Sequence, residues 1–143
     1  AKVLGGGLPI DATMLGDRVK DVFTPGSHGS TFGGNPAVCA GALHLLRRMD
    51  DALFASVREK SAYIFRTLTG AEGVRSVTGM GLMIGVETVG DAGEILARCR
   101  EQGVIALKAK NKVRLLPPLN IPQPLLEQAI SVLKEACAEC AKG

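Results

Sequence analysis

The sequence predicts an α+β fold, and three observations carry that expectation. Short apolar runs of strand length follow Gly73, and they are interleaved with segments whose apolar residues recur at helical spacing. No apolar stretch reaches the roughly 18–20 residues needed to span a bilayer. Apolar residues make up 46% of the chain but aromatics only 3%, so the core has to be built from Leu, Val, Ile, Ala and Met.

Residues 1–36 are rich in Gly, Pro, Ser and Thr and read as loop, with room for a short helical piece over residues 12–22. Asn35-Pro36 is a helix start: Asn is a good N-cap, and the N–H that proline lacks has no partner at the first helical position anyway. Val38, Ala42, Leu45, Leu46 and Met49 follow at helical spacing. Asp50-Asp51 interrupts or re-caps that helix, after which Leu53, Val57, Ile64, Phe65 and Leu68 form a second stripe toward Gly70. Strands are expected over residues 74–78, 82–88, 104–107 and 113–116. A helix over residues 92–102, ended by Gly103, separates the second strand from the third. After a proline-rich turn, Leu125, Leu126, Ala129, Ile130 and Leu133 mark a last helix over residues 124–141. There is no internal repeat.

Seventeen Lys and Arg against fourteen Asp and Glu give a net charge of +3. These charges are dispersed, without the basic run that nucleic acid or an anionic membrane calls for. The first residues lack the regions of a signal peptide, and a soluble cytoplasmic protein is expected. Cys39, Cys99, Cys137 and Cys140 fall in predicted helices. Cys137 and Cys140 form a C-x-x-C, but in the last helix instead of after a strand, so helix packing is preferred to redox chemistry. His28 and His44 stand apart from carboxylates and thiols at ligand spacing, and no metal is expected. The glycines of residues 79–85 do not open a helix and miss the dinucleotide spacing, which argues against a nicotinamide site.

Three segments have chemical potential. Lys2 precedes Val3-Leu4-Gly5-Gly6-Gly7-Leu8-Pro9, where glycines permit close backbone approach; alternatively it is a solvated lysine beside a flexible loop. His28-Gly29-Ser30-Thr31-Phe32-Gly33-Gly34-Asn35-Pro36 sets hydroxyls and N–H groups ahead of a helix N-terminus, suited to an anion such as phosphate or to an elaborate cap. Arg114 lies inside an apolar strand that runs into Pro117-Pro118. Its planar fork matches a carboxylate, although a structural salt bridge satisfies the same need.

Ala-Lys-x-Leu-Gly-Gly-Gly-Leu-Pro-Ile, His-Gly-Ser-Thr-Phe-Gly-Gly-Asn-Pro, Gly-Leu-Met-Ile-Gly and Arg-Leu-Leu-Pro-Pro-Leu, in this order and spacing, resemble the acetylornithine and ornithine branch of the class III aminotransferases. The resemblance covers essentially the whole chain and maps onto roughly the last third of the family's length. It implies the C-terminal small domain of a pyridoxal-phosphate-dependent transferase of fold type I, preceded by a segment of the large domain. On this basis residues 1–36 are a large-domain remnant with the cofactor lysine and phosphate loops, residues 37–70 are connecting helices, and residues 71–143 are the small domain.

The resemblance further implies that Lys2 is the covalent anchor of pyridoxal 5′-phosphate and moves the proton between the substrate's Cα and the cofactor's C4′. Thr31, with Ser30 beside it, matches the residue that reaches the cofactor phosphate of the neighbouring subunit in a homodimer. Arg114 matches the arginine that holds the substrate α-carboxylate. The implied substrates are N-acetylornithine, or a related ω-amino acid, and 2-oxoglutarate; ornithine, succinylornithine and 4-aminobutyrate enzymes share much of the pattern. Two positions depart from it: Val3 replaces a usual glycine, and Asp11 replaces a usual small residue. The family's aspartate for the pyridine nitrogen, its ring-stacking aromatic and its main phosphate cup belong to the portion preceding these motifs. This chain alone is therefore expected to fold without catalysing transamination, and a stable non-catalytic domain that self-associates is the competing reading.

Overall fold

The computed structural model describes residues 4–142. The chain divides into two compact units, residues 1–50 and 51–143. The expected domain scheme grouped the two helices of residues 37–70 together, whereas this division places one of them in each unit.

The first unit is organised by turns. Gly5 and Leu8 form an isolated antiparallel bridge, with the Leu8 amide donating to the Gly5 carbonyl at 3.2 Å. The two residues between them, Gly6 and Gly7, have φ of 64° and 99°, values that side chains with a Cβ rarely adopt. The helical piece expected over residues 12–22 does not form; single turns close there, from Val19 to Gly16 and from Val22 to Val19. So short a helix needs a buried face to hold it, and Met14 and Val22 are 95% and 67% exposed. Helix α1 (Pro36–Leu46) starts where Asn35-Pro36 predicts. The Asn35 side chain accepts from the Val38 amide at 3.1 Å, and its Nδ2 donates to the Phe32 carbonyl at 3.1 Å. Val38 and Ala42 are the buried residues of α1.

The second unit holds the core. Helix α2 (Asp51–Leu68) buries Val57, Lys60, Ile64 and Leu68, one stripe at spacings of three and four. Strands β1 (Val74–Met80) and β2 (Met83–Thr88) form a hairpin whose register pairs Met80 with Met83. Helix α3 (Ala92–Glu101) is capped by Asp91, whose carboxylate accepts from the Gly93 and Glu94 amides at 2.7 and 3.2 Å. Those two bonds, the Gly93 amide foremost, and Lys108 beside them hold the Asp91 carboxyl below its ordinary range. Strands β3 (Leu107–Ala109) and β4 (Lys112–Leu115) complete an antiparallel sheet of order β1-β2-β4-β3, and helix α4 (Gln123–Cys140) follows.

The α+β class expected from the sequence is thus observed, with one strand displaced. Residues 104–106, expected to begin the third strand, are irregular. The Val104 amide donates to the Cys99 carbonyl at 2.8 Å and the Gly103 amide to the Arg100 carbonyl at 3.0 Å, with Gly103 at φ 80°. This pair of bonds closes the C-terminus of α3 and uses the backbone that pairing would need.

One face of the sheet is apolar. Ile84 and Val86 of β2 and Val113 of β4 join Ile64, Leu68, Ile95, Cys99, Ile130, Leu133 and Cys137 of the helices in a single cluster. The other face is polar, as alternation requires. There Ser76 Oγ donates to Glu87 Oε2 at 3.0 Å, and Lys112 Nζ donates to Thr78 Oγ1 at 3.4 Å while standing 3.8 Å from Glu87. Arg114 is two residues from Lys112 on this face, in register with Gly85 on one side and Leu107 on the other.

Candidate active site

Lys2 lies outside the described residues. In the first unit Ser30 and Thr31 are exposed at the head of the loop that leads into α1. The Gly33 amide donates to the Ser30 carbonyl at 3.4 Å, and Gly34 takes φ 67° before Asn35. The helix cap is supplied by Asn35 and not by either hydroxyl. Among the described residues the hydroxyls of Ser30 and Thr31 have no hydrogen-bond partner, so two donors stand ready ahead of an 11-residue helix whose N-terminal dipole favours an anion.

In the second unit Arg114 borders a cleft of about 530 Å³. The walls near it are apolar, formed by Ile105, Leu107, Leu116, Pro117 and Leu125. Nε of Arg114 is buried and has no hydrogen-bond partner, and among the described residues Arg114 takes part in no ion pair. A buried N–H without a partner costs on the order of 1–3 kcal/mol, so natural structures seldom keep one without a reason. Nε and a neighbouring Nη of a guanidinium together present the two parallel donors that a carboxylate accepts. The structural salt bridge considered from sequence has no partner among the described residues.

The turn after β4 builds one wall of this cleft. Pro117 and Pro118 bring no N–H, and Ile121 donates its amide to the Pro118 carbonyl at 3.0 Å. The Leu119 carbonyl accepts from Lys60 Nζ at 3.2 Å across 59 residues of sequence. Lys60 is only 7% exposed. Sequence reading passed over it, although the signal was present: a lysine occupies the i+3 place between Val57 and Ile64 on the apolar stripe of α2.

The remaining sequence candidates resolve in plain ways. Gly79 lies in β1 and Gly81 opens the two-residue β1–β2 turn, which leads from strand to strand and opens no helix. Among the described residues no group of three His, Cys, Asp or Glu stands close enough to hold a metal ion, and no helix is long and apolar enough to cross a membrane. Cys137 is fully buried in α4, and desolvation first, then the nearby Cys99 and Cys140, push its thiol up to about 12. A reactive thiol needs the opposite shift; Cys137 sits in the core cluster and Cys140 packs partly buried against it.

The model of the family described as aminotransferase class-III matches residues 1–137, and the chain belongs to that family. Acetylornithine aminotransferase of Haemophilus ducreyi is 40% identical over 141 aligned positions, covering 97% of this chain and 36% of that relative. Acetylornithine aminotransferase of Clostridium acetobutylicum is 40% identical over 143 residues, covering 95% of this chain and 37% of the relative. The chain thus spans little more than a third of the length of these curated relatives. Among solved structures, the ornithine aminotransferase of Toxoplasma gondii superposes with a TM-score of 0.73 at 28% identity, covering 85% of this chain and 31% of that one. The N-acetylornithine aminotransferase of Stenotrophomonas maltophilia gives 0.65 at 30% identity, covering 75% and 32%.

Proposed function

We propose that this chain supplies the cofactor lysine and the carboxylate-binding arginine of an aminotransferase that moves an amino group from N-acetylornithine, or a related ω-amino acid, to 2-oxoglutarate. One observation carries the reading: Arg114, in no ion pair among the described residues, lines an apolar cleft, where a guanidinium suits a substrate carboxylate. The cofactor would be pyridoxal 5′-phosphate. The partnerless hydroxyls of Ser30 and Thr31, set ahead of α1, suit its phosphate; by the family resemblance Thr31, with Ser30 as a second contributor, would reach the cofactor of a second subunit in a homodimer. When bound, the cofactor would supply an electron sink for the pair left on the carbon that bears the transferred amino group. Lys2 would anchor it and carry the proton released from that carbon, while Arg114 would orient the substrate through its α-carboxylate. Residues 1–36 would then belong to a large domain and residues 71–143 to a small one, joined by the helices of residues 37–70. A cytoplasmic location is part of the same proposal.

The test is transamination by the full-length protein carrying single substitutions. Lys2→Ala is expected to lower turnover by at least about 10³-fold while far-ultraviolet circular dichroism is unchanged, because no other amine replaces it in both anchoring and proton transfer. Arg114→Lys is expected to raise KM for the amino-acid substrate by about 10-fold or more, since a point ammonium cannot reproduce a two-bond clamp. Native turnover in the first variant would remove Lys2 from the mechanism. An unchanged KM in the second would assign Arg114 to structure, and absence of turnover in the unsubstituted protein would favour a non-catalytic, self-associating domain.

A further inference from the structure

A lysine that is 7% exposed requires an explanation, because an ammonium is rarely withdrawn from water without a carboxylate to meet it. Among the described residues Lys60 is in no ion pair, and its recorded acceptor is one neutral oxygen, the Leu119 carbonyl at 3.2 Å. That oxygen lies in the segment of residues 116–122, which contains Pro117, Pro118 and Pro122 and so lacks three of the amides with which a loop normally fastens itself. The turn within it is closed by the Ile121 amide on the Pro118 carbonyl, and Leu119 and Ile121 pack partly buried against the core. Leu116, Pro117, Pro118 and Ile121 of the same segment line the Arg114 cleft. A shift of this turn therefore alters the space beside the guanidinium.

We infer that Lys60 is a positioning residue for the Arg114 carboxylate site: its buried ammonium ties the Pro117-Pro118-Leu119 turn to α2 and so sets the wall against which a carboxylate seats. The inference rests on the carboxylate role proposed for Arg114. Lys60 does not line the Arg114 cleft; it acts through the turn. A merely structural lysine would affect all substrates alike, whereas one acting through this wall affects those that present a carboxylate there.

The experiment compares Lys60→Met, Lys60→Gln and Lys60→Arg in the full-length protein. Lys60→Met keeps the length of the side chain and removes its donors; Lys60→Gln keeps a neutral donor and supplies the readout if the first variant does not fold. In Lys60→Met, amide hydrogen exchange at Ile121 is expected to accelerate by about 10-fold relative to the amides of β2. KM for the amino-acid substrate is expected to rise by about 5- to 10-fold with kcat within about twofold, and KM for an amine lacking the α-carboxylate should stay unchanged. Lys60→Gln should fall between, and Lys60→Arg, which still donates to the Leu119 carbonyl, should remain within about threefold of the unsubstituted protein. Native exchange at Ile121 overturns the tie itself. Faster exchange with an unchanged KM overturns its link to the site, as does an equal rise in KM for the amine without a carboxylate. Arg114→Lys, measured in parallel, separates the two readings. If it raises KM while Lys60→Met does not, only the role of Lys60 falls; if it leaves KM unchanged, the carboxylate reading falls and the positioning role with it.

Discussion

Residues 1–50 and 51–143 differ in what holds them. Among the described residues of the first unit the buried apolar side chains are Val38 and Ala42, while Met14 and Phe32 are 95% and 82% exposed. Its order comes from glycine turns, a capped helix start and single backbone bonds. The second unit closes a continuous core between a sheet face and helix stripes, with Ile64, Ile84, Ile95, Ile130 and Leu133 at 1% exposure or less. The segments proposed for the cofactor lie in the first unit, where short connections leave the Ser30 and Thr31 hydroxyls exposed. Arg114, proposed for the substrate carboxylate, lies on a strand of the second, held in register by neighbours on both sides. A site built on loops depends on its surroundings for stability, whereas one built on a strand inherits stability from the core.

The comparison is broken most readily at the core. Leu133→Ala is expected to lower the unfolding free energy by about 3 kcal/mol, because Leu133 is 1% exposed and the vacated volume is enclosed by neighbours in the cluster. Phe32→Ala removes a larger side chain from a position 82% exposed, and its expected effect is within about 0.5 kcal/mol. Urea unfolding of both variants, with constant m-value, measures the difference. A loss above about 1.5 kcal/mol for Phe32→Ala would show that the first unit holds a packed core of its own.

The thiols sharpen the same contrast. Cys39 is exposed on α1, while Cys99 and Cys137 are buried. Burial, followed by the neighbouring thiols, raises Cys137 from 9.0 to about 12, and burial followed by Cys140 raises Cys99 in the same direction. The unfolded chain gives up these protons near pH 9.0, and the folded chain retains the Cys137 proton until about 12. The Cys137 contribution to stability is therefore complete below pH 9.0 and is lost as pH rises toward 12. Within that window the Cys137 thiol adds a slope of about −1.4 kcal/mol per pH unit to the unfolding free energy. Cys137→Ala should flatten the alkaline fall, and identical slopes in the two proteins would contradict the burial argument. In the native state a thiol reagent should modify Cys39 quickly and reach Cys99 and Cys137 only on unfolding.

Much of this was legible in the residues, and the exceptions have physical causes. Asn35-Pro36 marks the start of α1 because both residues act through local geometry, and Gly103 marks the end of α3 for the same reason. What Gly103 does to the next residues is less visible: the cap takes the Val104 amide and delays pairing until Leu107. Residues 12–22 have room for a short helical piece but bury no face that would hold one, so single turns form there instead. Arg114 drew notice as an arginine inside an apolar strand, but its orphaned Nε is a property of packing that spacing cannot express. Lys60 was missed because its meaning lies in a carbonyl 59 residues away.

The smallest expected effect lies at the tip of the β3–β4 hairpin. Ala109 pairs with Lys112, so Lys110 and Asn111 form a two-residue turn, and Lys110 takes φ 57°. Among the described residues it is the non-glycine residue found at positive φ. In that region the Cβ crowds backbone carbonyl oxygen at a cost of roughly 1–2 kcal/mol, which glycine avoids. Glycine also widens the unfolded ensemble and returns about 0.5–1 kcal/mol of that gain. The Lys110 side chain is exposed and makes no recorded hydrogen bond or ion pair, so its removal subtracts little else. Lys110→Gly should thus stabilise the chain by about 0.5 kcal/mol and raise the melting temperature by roughly 1–2 °C. Lys110→Val, β-branched and so poorly suited to positive φ, should lower it. Thermal unfolding of the pair gives the sign directly. A lower melting temperature for Lys110→Gly, or none lost in Lys110→Val, would mean that the turn relaxes away from this backbone and that strain is not stored there.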